Sequence, residues 1–410
     1  MKDRFGCDWS RRTGTRFWRL PHIGRRTFFK HMATALTGYF LVPGRRTGDN
    51  VARAGVRPIA KAKNVILVIL AGAPSHTDTF DLKEGPWTPA YMAPATFGDI
   101  RFPRGLMPNL ANHLDSIAFV RSARAHATVH SLAQNWIQIG RNPQGLNHIA
   151  PHIGSVVALE LGPQSPDCTL PAFISVNASS LPGAGFLGPE CEPFYISTDG
   201  VDNRTIDHAV SLDNIFNFDQ NTRHVYGNSN FGNACVCARN LLRANMGTRF
   251  IQISFGSWDH HGNIYAPNAN LHLLSRQFDA GLAALITDLK QDGTLNQTLI
   301  VAMGEFGRTA GPLNQNAGRD HHQQHSVLFA GGGVKGNRAI GQTNALGDDV
   351  ADPGWSAGRY VWPEDVEATM YSALGIDWTK IVHGDSLGPG FEYVPQQDLY
   401  QYQPVNELWP

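Results

Sequence analysis

The sequence predicts an α/β fold with a largely parallel central sheet flanked by helices. Two observations favour this class. The first is a series of short, continuously apolar runs that each end in glycine, as is typical of strands buried on both faces. The second is the order strand, helix, strand in the second half of the chain, which predicts a right-handed crossover unit. With 410 residues, 42% of them hydrophobic, the chain is long enough to bury such a core.

Four apolar runs predict the strands: "NVILVILAG" (64–72), "RFIQISFG" (249–256), "TLIVAMG" (298–304) and "SVLFAGGG" (326–333). Between the second and third, apolar residues recur three and four positions apart, which predicts an amphipathic helix that ends before Gly293. These positions are Leu271, Leu274, Phe278, Leu282, Leu285 and Leu289. Residues from about 160 to 245 are rich in Gly, Pro and Asn, and we interpret them as an irregular insertion in one α/β domain spanning 55–410.

The first 54 residues read as an export signal. "GRRTFFK" (24–30) pairs two arginines with a phenylalanine and a lysine, "HMATALTGYFLVP" (31–43) is moderately apolar, and small residues follow up to Ala54. This pattern resembles a twin-arginine signal, so we expect cleavage near Ala54, the twin-arginine translocase as a partner during export, and a periplasmic or otherwise exported protein. The apolar run is shorter than the ~20 residues that span a bilayer, so no stable membrane span is expected.

Charge is distributed unevenly along the chain. Residues 1–54 hold 12 of the 34 Lys and Arg but only 3 of the 34 Asp and Glu, which leaves 22 basic and 31 acidic residues in the remainder. An acidic body lacks the basic surface that nucleic-acid binding requires, and no nucleic-acid partner is expected.

Four cysteines follow the predicted signal: Cys168, Cys191, Cys235 and Cys237. Four cysteines allow three pairings, and an oxidising compartment would permit a disulfide such as Cys168–Cys191. Cys235 and Cys237 lack the further cysteines of a zinc site, so free or bridged thiols are expected there.

Polar clusters follow three of the predicted strands. The first is followed by "APSHTDTFD", with Asp78; the second by "SWDHHGN", with Asp259 and His261. The third is followed by Glu305, Arg308, Arg319, Asp320 and His321. Because the carboxyl ends of parallel strands meet at one edge of a sheet, we expect these groups to converge. Carboxylates and imidazoles suit zinc, manganese and similar divalent ions, and arginines suit an anion, whereas any one cluster alone would more often be a hydrated loop.

A fourth stretch, "MPNLANHLDSIAFVRSARAHATVHSLAQNWIQIGRNP" (107–143), has a Pro-Asn helix start, a short strand and a helix ending near Gly140. This order resembles sulfatases and related enzymes of the alkaline-phosphatase superfamily, in which the covalent nucleophile precedes a similar Gly-Arg-x-Pro ending. Aligning "IGRNP" with that ending places His130 at the nucleophile position, with Thr128 and Ser131 beside it. The alternative, a capping or buried hydrogen-bonded histidine, stays open.

Longer motifs resemble a bacterial family known as domain of unknown function 1501. They are "LAGAPSHTDTFDLK", "WDHHGN", "GEFGRT", "GRDHH", "SVLFAGGGVKGNRAIGQT" and "ATMYSALGID", and the resemblance covers about 64–388. It implies an alkaline-phosphatase-like fold with one or two divalent ions (Zn, Mn or Ca). The superfamily's Asp and His ligands map onto Asp259 and His261, its Asp-His-Gly motif onto Glu305-Phe306-Gly307, and its late histidine onto His321, with Asp320 adjacent.

The sequence also departs from the superfamily pattern. Ala71 replaces the aspartate after the first strand, so Asp78 or Asp81 would have to substitute. Phe306 replaces a histidine ligand, which weakens the second metal position. No cysteine occupies the nucleophile position, so formylglycine-type sulfatase chemistry is not expected.

These features together predict an exported metal-dependent hydrolase acting on phosphate or sulfate esters of small molecules or glycans. Arg308 and Arg319 are predicted anion clamps and His130 the nucleophile or general acid/base. The predicted metal ligands are Asp78, Asp259, His261, Glu305, Asp320 and His321. The alternative is a degenerate, non-catalytic member that binds an anionic ligand, glycan or partner protein in the cell envelope, which the residues Ala71 and Phe306 favour. A structural envelope protein is a third, weaker interpretation.

Overall fold

An eight-stranded sheet lies at the centre of the protein. A computed structural model describes residues 56–144, 150–162, 168–178, 181–198, 213–216, 218–383, 390–396 and 401–410, and the predicted export signal lies outside them. In chain order the strands are β1 (Asn64–Leu70), β2 (Ile117–Arg124), β3 (Phe173–Val176), β4 (Phe194–Ile196), β5 (Phe250–Phe255), β6 (Thr298–Met303), β7 (Gln324–Gly331) and β8 (Arg338–Ile340). Their spatial order is β8-β2-β7-β6-β1-β5-β3-β4.

The sheet is largely parallel, as the sequence predicts. β1 runs parallel to β5 and β6, β5 to β3, β3 to β4, and β2 to β8. The exception is β7, which runs antiparallel to both neighbours, β2 and β6. All four predicted strands are present, and β1 and β6 are buried along almost their whole length, as continuous apolar runs require.

The described helices are α1 (His130–Ile139), α2 (Ile153–Leu161), α3 (Asp213–Phe216), α4 (Gln220–Val225), α5 (Asn230–Ala244), α6 (Asn270–Gln291) and α7 (Pro363–Ala373). The predicted amphipathic helix corresponds to α6 and ends two residues before Gly293. Its predicted apolar positions are all buried: Leu271, Leu274, Phe278, Leu282, Leu285 and Leu289. No helix in the described part of the chain is long and apolar enough to cross a membrane.

Among the described residues, four short two-stranded pairs lie outside the central sheet. They join Ala95–Phe97 to Ile100–Phe102, Gly307–Arg308 to His321–His322, Gln342–Thr343 to Val350–Asp352, and Ile381–Val382 to Phe391–Glu392. Between about 160 and 245, the described residues provide strands β3 and β4 and helices α3 to α5. Cys168, Cys191, Cys235 and Cys237 are all free thiols, so the pairing considered for Cys168 and Cys191 is not formed.

Candidate metal centre

Three adjacent parallel strands bring the predicted site residues to one edge of the sheet. β6, β1 and β5 lie side by side with their carboxyl ends together. Asp259 and His261 follow β5, and Glu305 follows β6. The short pair that sets His321 opposite Arg308 returns the later loop to the same edge. Residues that lie far apart in the sequence therefore meet where open α/β sheets usually form their sites.

Three histidines surround one carboxylate oxygen. Oδ1 of Asp259 lies 3.0 Å from Nε2 of His261, 3.3 Å from Nε2 of His130 and 3.4 Å from Nε2 of His321. The Nε2 atoms of His261 and His321 are themselves 3.0 Å apart. One ligand atom from each of His130, Asp259 and His321 lies within 4.8 Å of the others, a spacing that suits a shared ion.

Each ring is held through its other nitrogen. Nδ1 of His130 lies 2.6 Å from Oε1 of Glu305, and Nδ1 of His261 lies 2.9 Å from Oδ1 of Asp320. Nδ1 of His321 lies 2.8 Å from the carbonyl oxygen of Thr128. Carbonyl and ionised carboxylate oxygens only accept hydrogen bonds, so Nδ1 carries the proton and a neutral ring leaves a lone pair on Nε2. This is how metal-binding histidines are oriented in proteins.

The atoms inside the cluster fit a cation. The Nε2 atoms of His261 and His321 face each other at 3.0 Å with no proton to share in their neutral forms. Nη1 of Arg308, which can only donate, lies 3.4 Å from Nε2 of His261, in agreement with a lone pair there. Nε2 of His130 is buried without a hydrogen-bond partner, because its approach to Asp259 lacks hydrogen-bond geometry. A bound ion would satisfy Nε2 of His130 and Nε2 of His321, whose ligand atoms lie with that of Asp259 within 4.8 Å of one another.

The chemistry of the donor set narrows the class of ion. Imidazole nitrogens with a carboxylate oxygen are typical ligands of zinc and related transition ions. Calcium takes six to eight oxygen ligands, which His130, His261 and His321 do not provide. We therefore interpret the cluster as a candidate transition-metal centre.

Local electrostatics keep Asp259 ionised. Partial burial acts to raise its pKa, but the hydrogen bond and charge of Arg308, together with His130 and His261, outweigh burial and lower the pKa to about 2. The pKa of His130 is raised, chiefly by its hydrogen bond to Glu305, against the opposing effect of burial. A metal ion and a proton would therefore compete for this ring.

Two of the predicted ligands hold histidines instead of facing the cluster. Glu305 is fully buried, and its carboxylate accepts from the backbone N–H of Gly72 at 3.0 and 3.3 Å and from Nε2 of Gln134 at 3.0 Å, besides contacting His130. Asp320 is exposed; its Oδ1 contacts His261 and also accepts from Nδ2 of Asn314 at 3.1 Å. Both carboxylates are thus orienting groups for a histidine ring.

The structure places Asp78 and Arg319 in an ion pair of their own. Nε of Arg319 donates to Oδ2 of Asp78 at 2.7 Å, and the hydroxyl of Tyr265 donates to Oδ1 at 2.6 Å. Both side chains of the ion pair are buried. Nη1 of Arg319 donates to the carbonyl oxygens of Thr309 and Gly311 at 2.8 Å. The pair therefore fixes the loop and replaces the expected roles of Asp78 as a metal ligand and Arg319 as an anion clamp.

Arg308 is also engaged within the protein. Its Nη2 donates to Oδ1 of Asp259 at 2.5 Å and to the carbonyl oxygen of Gly72, and its Nε donates to the carbonyl oxygen of Ala73 at 2.9 Å. Nη1 lies 3.3 Å from the carbonyl oxygen of Arg319. With every nitrogen of the guanidinium bonded, Arg308 lies against the cluster but is not a free clamp for a substrate anion.

Sequence reasoning missed several contributors. Gln134 lies one helical turn after His130 on α1, so helix periodicity was the available signal. Gly72 has a φ of +100°, and a Cβ there would lie 2.6 Å from the backbone nitrogen of Asp259. Phe306 packs between two rings, with ring centroids 4.8 Å from His130 and 4.6 Å from His321. No sequence signal pointed to the carbonyl of Thr128.

Together, the fold and the cluster define an α/β protein with a candidate centre of three histidines and one aspartate. Residues 62–215 and 212–387 match the family described as "Protein of unknown function (DUF1501)". This chain belongs to that family. A comparison with curated proteins gave no match.

Several solved structures are similar in fold. A protein in the alkaline phosphatase superfamily from Vibrio parahaemolyticus is 12% identical, with a TM-score of 0.45 over 78% of this chain and 69% of that one. A sulfatase from Pseudoalteromonas sp. is 10% identical, with a TM-score of 0.42 over 93% and 75%. A phosphonate monoester hydrolase from Silicibacter pomeroyi is 14% identical, with a TM-score of 0.41 over 83% and 78%. Similarity at this level does not bear on the chemistry of this chain.

Proposed function

We propose that this protein is an exported, metal-dependent hydrolase of phosphate or sulfate esters of small molecules or glycans. The observation that carries the proposal is the convergence of three Nε2 atoms on Oδ1 of Asp259, each ring being fixed through Nδ1. Histidine rings fixed through Nδ1 with Nε2 directed at a shared point are what a metal site requires. The residues that would hold the ion are His130, Asp259, His261 and His321.

A divalent transition ion bound there would act as a Lewis acid on an ester oxygen. The chain's own residues would prepare the site: Glu305, Asp320 and the Thr128 carbonyl orient the rings, and Arg308 keeps Asp259 ionised. Helix α1 begins at His130, and its N-cap Val129 contributes no side-chain cap to the first-turn amides. Backbone amides at such a helix start suit an anionic group.

The contacts of His130 favour a ligand over a nucleophile. Its Nδ1 is bound to Glu305, and its Nε2, which has no hydrogen-bond partner, lies within the cluster 3.3 Å from Oδ1 of Asp259, where a bound ion would take its lone pair. A covalent histidine intermediate is therefore not part of the proposal. Export by the twin-arginine pathway and a periplasmic location are proposed from the leader alone, whose "GRRTFFK" motif and apolar run precede the described residues.

A second candidate function is binding without turnover, to an anionic ligand, a glycan or a partner protein. The bonds of Arg308 and Arg319 favour it, because both guanidiniums are used inside the protein. An esterase of anionic substrates usually offers a cationic group to the leaving or transferring anion, and neither arginine provides one here.

The test is a hydrolysis panel with the full chain. Phosphate monoesters, phosphate diesters and sulfate esters would be assayed with added Zn²⁺ or Mn²⁺, in the wild type and in Asp259→Asn and His321→Ala. We expect hydrolysis of at least one class and a loss of about 10²-fold or more in either variant, since several kcal/mol of transition-state stabilisation depend on the ion. Asp352→Asn, at an exposed position, is the matched control.

Each outcome separates the candidates. Tight metal binding without hydrolysis of any ester would support the binding function. Hydrolysis that survives both substitutions unchanged would show that the cluster is not the active centre.

A further inference from the structure

We infer that the centre holds a single divalent ion and that the guanidinium of Arg308 provides its second, permanent positive charge. The inference rests on the proposed metal site but not on turnover. It is built from the position of Arg308, from the engagement of the surrounding carboxylates, and from the charges of the groups at the cluster.

Arg308 lies on the oxygen around which the histidines gather. Its Nη2 is 2.5 Å from Oδ1 of Asp259, and its side chain is only 1% exposed. The guanidinium is fixed on the backbone carbonyls of Gly72, Ala73 and Arg319. Because these bonds use all three nitrogens, the group cannot swing aside to admit an ion in its place.

Two neighbouring carboxylates are already engaged within the protein. Oε1 of Glu305 contacts Gly72, Gln134 and His130, and its Oε2 accepts from the same N–H of Gly72. Asp78 is paired with Arg319 and Tyr265. Within the described residues, His130, Asp259 and His321 form the one group of three ligand atoms spaced for a metal.

An aromatic ring closes a further direction. Phe306 is fully buried and its ring packs against those of both His130 and His321. An apolar ring offers no donor atom, so Phe306 cannot help to hold a second ion beside the first. The carbonyl of Gly72 accepts from Arg308 while its N–H donates to Glu305, so the backbone of one residue holds the fixed cation and the orienting carboxylate together.

The charges at the cluster agree with one ion. Asp259, Glu305 and Asp320 each contact a histidine, and Arg308 compensates one of their three negative charges. With the rings neutral, a single divalent ion balances the remaining two. A second divalent ion would leave an uncompensated double positive charge in a partly buried site, which costs free energy.

The test counts bound ions. The full chain would be stripped with a chelator and titrated with Co²⁺, with bound metal measured by equilibrium dialysis and elemental analysis. Asp259→Asn, treated identically, gives the background from the leader and surface histidines. We expect the wild type to exceed this variant by one ion per chain, with visible ligand-field bands that saturate at one equivalent. An excess of two ions, or of none, would overturn the inference.

Two substitutions test the role of Arg308 itself. Arg308→Lys keeps the positive charge and should keep the count at one. Arg308→Met removes the charge from beside Asp259, so the count should rise above one. A count of one or fewer in Arg308→Met would show that this charge does not limit the number of ions. If either variant fails to fold, the wild-type count still decides the stoichiometry.

The inference and the proposed function fail differently. Two ions per chain together with ester hydrolysis would keep the function and refute the single-ion centre. One ion per chain without hydrolysis would keep the single-ion centre and refute the hydrolase.

Discussion

At the scale of residues, the division between groups that bind and groups that orient determines what the centre can do. His130 illustrates it, because Glu305 holds its Nδ1 and thereby directs Nε2 toward Asp259. The pairing has the form of a carboxylate–histidine–metal relay, in which the outer carboxylate fixes the tautomer and the ring orientation of the ligand.

Glu305→Gln should weaken metal binding about 10- to 100-fold, the usual effect of removing an orienting carboxylate. An amide at this position must turn an NH₂ group toward either the N–H of Gly72 or the Nδ1–H of His130. The dissociation constant for Zn²⁺, measured against a chelating indicator, reports the loss. The matched control is Asp279→Asn, since Asp279 is equally buried but accepts from Asn109 and Leu110 instead. A loss of affinity in both variants would indicate general destabilisation.

Arg319→Met should lower the free energy of unfolding by about 3–5 kcal/mol, because it leaves the buried carboxylate of Asp78 without its partner. Denaturant unfolding measures the change. Zn²⁺ affinity of the folded variant should stay within a few-fold of the wild type, since Arg319 contacts no residue of the cluster through its side chain. A large loss of Zn²⁺ affinity in a stably folded Arg319→Met protein would show that Arg319 does take part in metal binding.

Residue types alone indicated which region of the chain forms the centre, but they could not assign roles. Asp259, His261 and His321 were expected at one edge and are found together. The sequence could not show that Asp78 pairs with Arg319, because 241 positions separate them and only the folded chain brings them into contact. His130 could not be identified as a candidate metal ligand either, because its contacts with Asp259 and Glu305 also form only in the folded chain.

At the scale of elements, the segment after β1 packs closely against the loop after β5 and thereby positions Asp259 in the centre. Gly72 lies two residues after the end of β1 and has a φ of +100°, and a Cβ there would lie 2.6 Å from the nitrogen of Asp259 and 2.8 Å from that of Trp258. Only glycine fits both the backbone angle and the space.

Gly72→Ala should destabilise the fold by about 3 kcal/mol or more, through backbone strain and collision with the Asp259 loop. Gly98→Ala is the matched control, because Gly98 also has a positive φ, +57°, but a Cβ there meets no described atom within 4 Å. It should cost only about 1–2 kcal/mol, the strain alone. Thermal or denaturant unfolding measures both losses. If the two variants lose the same free energy of unfolding, the space between Gly72 and the Asp259 loop is wide enough for a Cβ.

The elements themselves were largely predictable. Apolar runs located β1, β5, β6 and β7, and the three- and four-residue spacing located α6, because burial imposes those periodicities directly. The antiparallel direction of β7 was not predictable, since an apolar run reads the same in either direction.

At the scale of the whole molecule, buried histidines make the fold sensitive to acid. His152 lies at the start of α2, where Nδ1 accepts from the N–H of Gly154 and Nε2 contacts Oε1 of Gln252. Burial lowers its pKa from 6.5 to about 3, against the effect of the Gln252 bond, and burial likewise lowers the pKa of His76 to about 4 and that of His325 to about 3. Between those values and pH 6.5, the unfolded chain binds more protons than the folded one.

The contribution of these buried rings to the free energy of unfolding should therefore fall as pH drops below about 6.5 and level off near pH 3, where the folded rings also protonate. His152→Asn keeps a helix-capping acceptor for Gly154 but cannot take up the proton. It should reduce the slope of the unfolding free energy against pH, between pH 4 and 6, by about 1.4 kcal/mol per pH unit. This is the value for uptake of one proton on unfolding. Urea unfolding at a series of pH values measures the slope, and an unchanged slope would show that His152 is not buried as a neutral ring.

The most direct measurement of the central claim is an anomalous difference map from crystals of the full chain grown with Zn²⁺, recorded on both sides of the zinc edge. We expect one strong peak about 2 Å from at least three of four atoms: Nε2 of His130, His261 and His321, and Oδ1 of Asp259. A map without a peak there, or with the ion bound instead to Glu305 or Asp78, would contradict it.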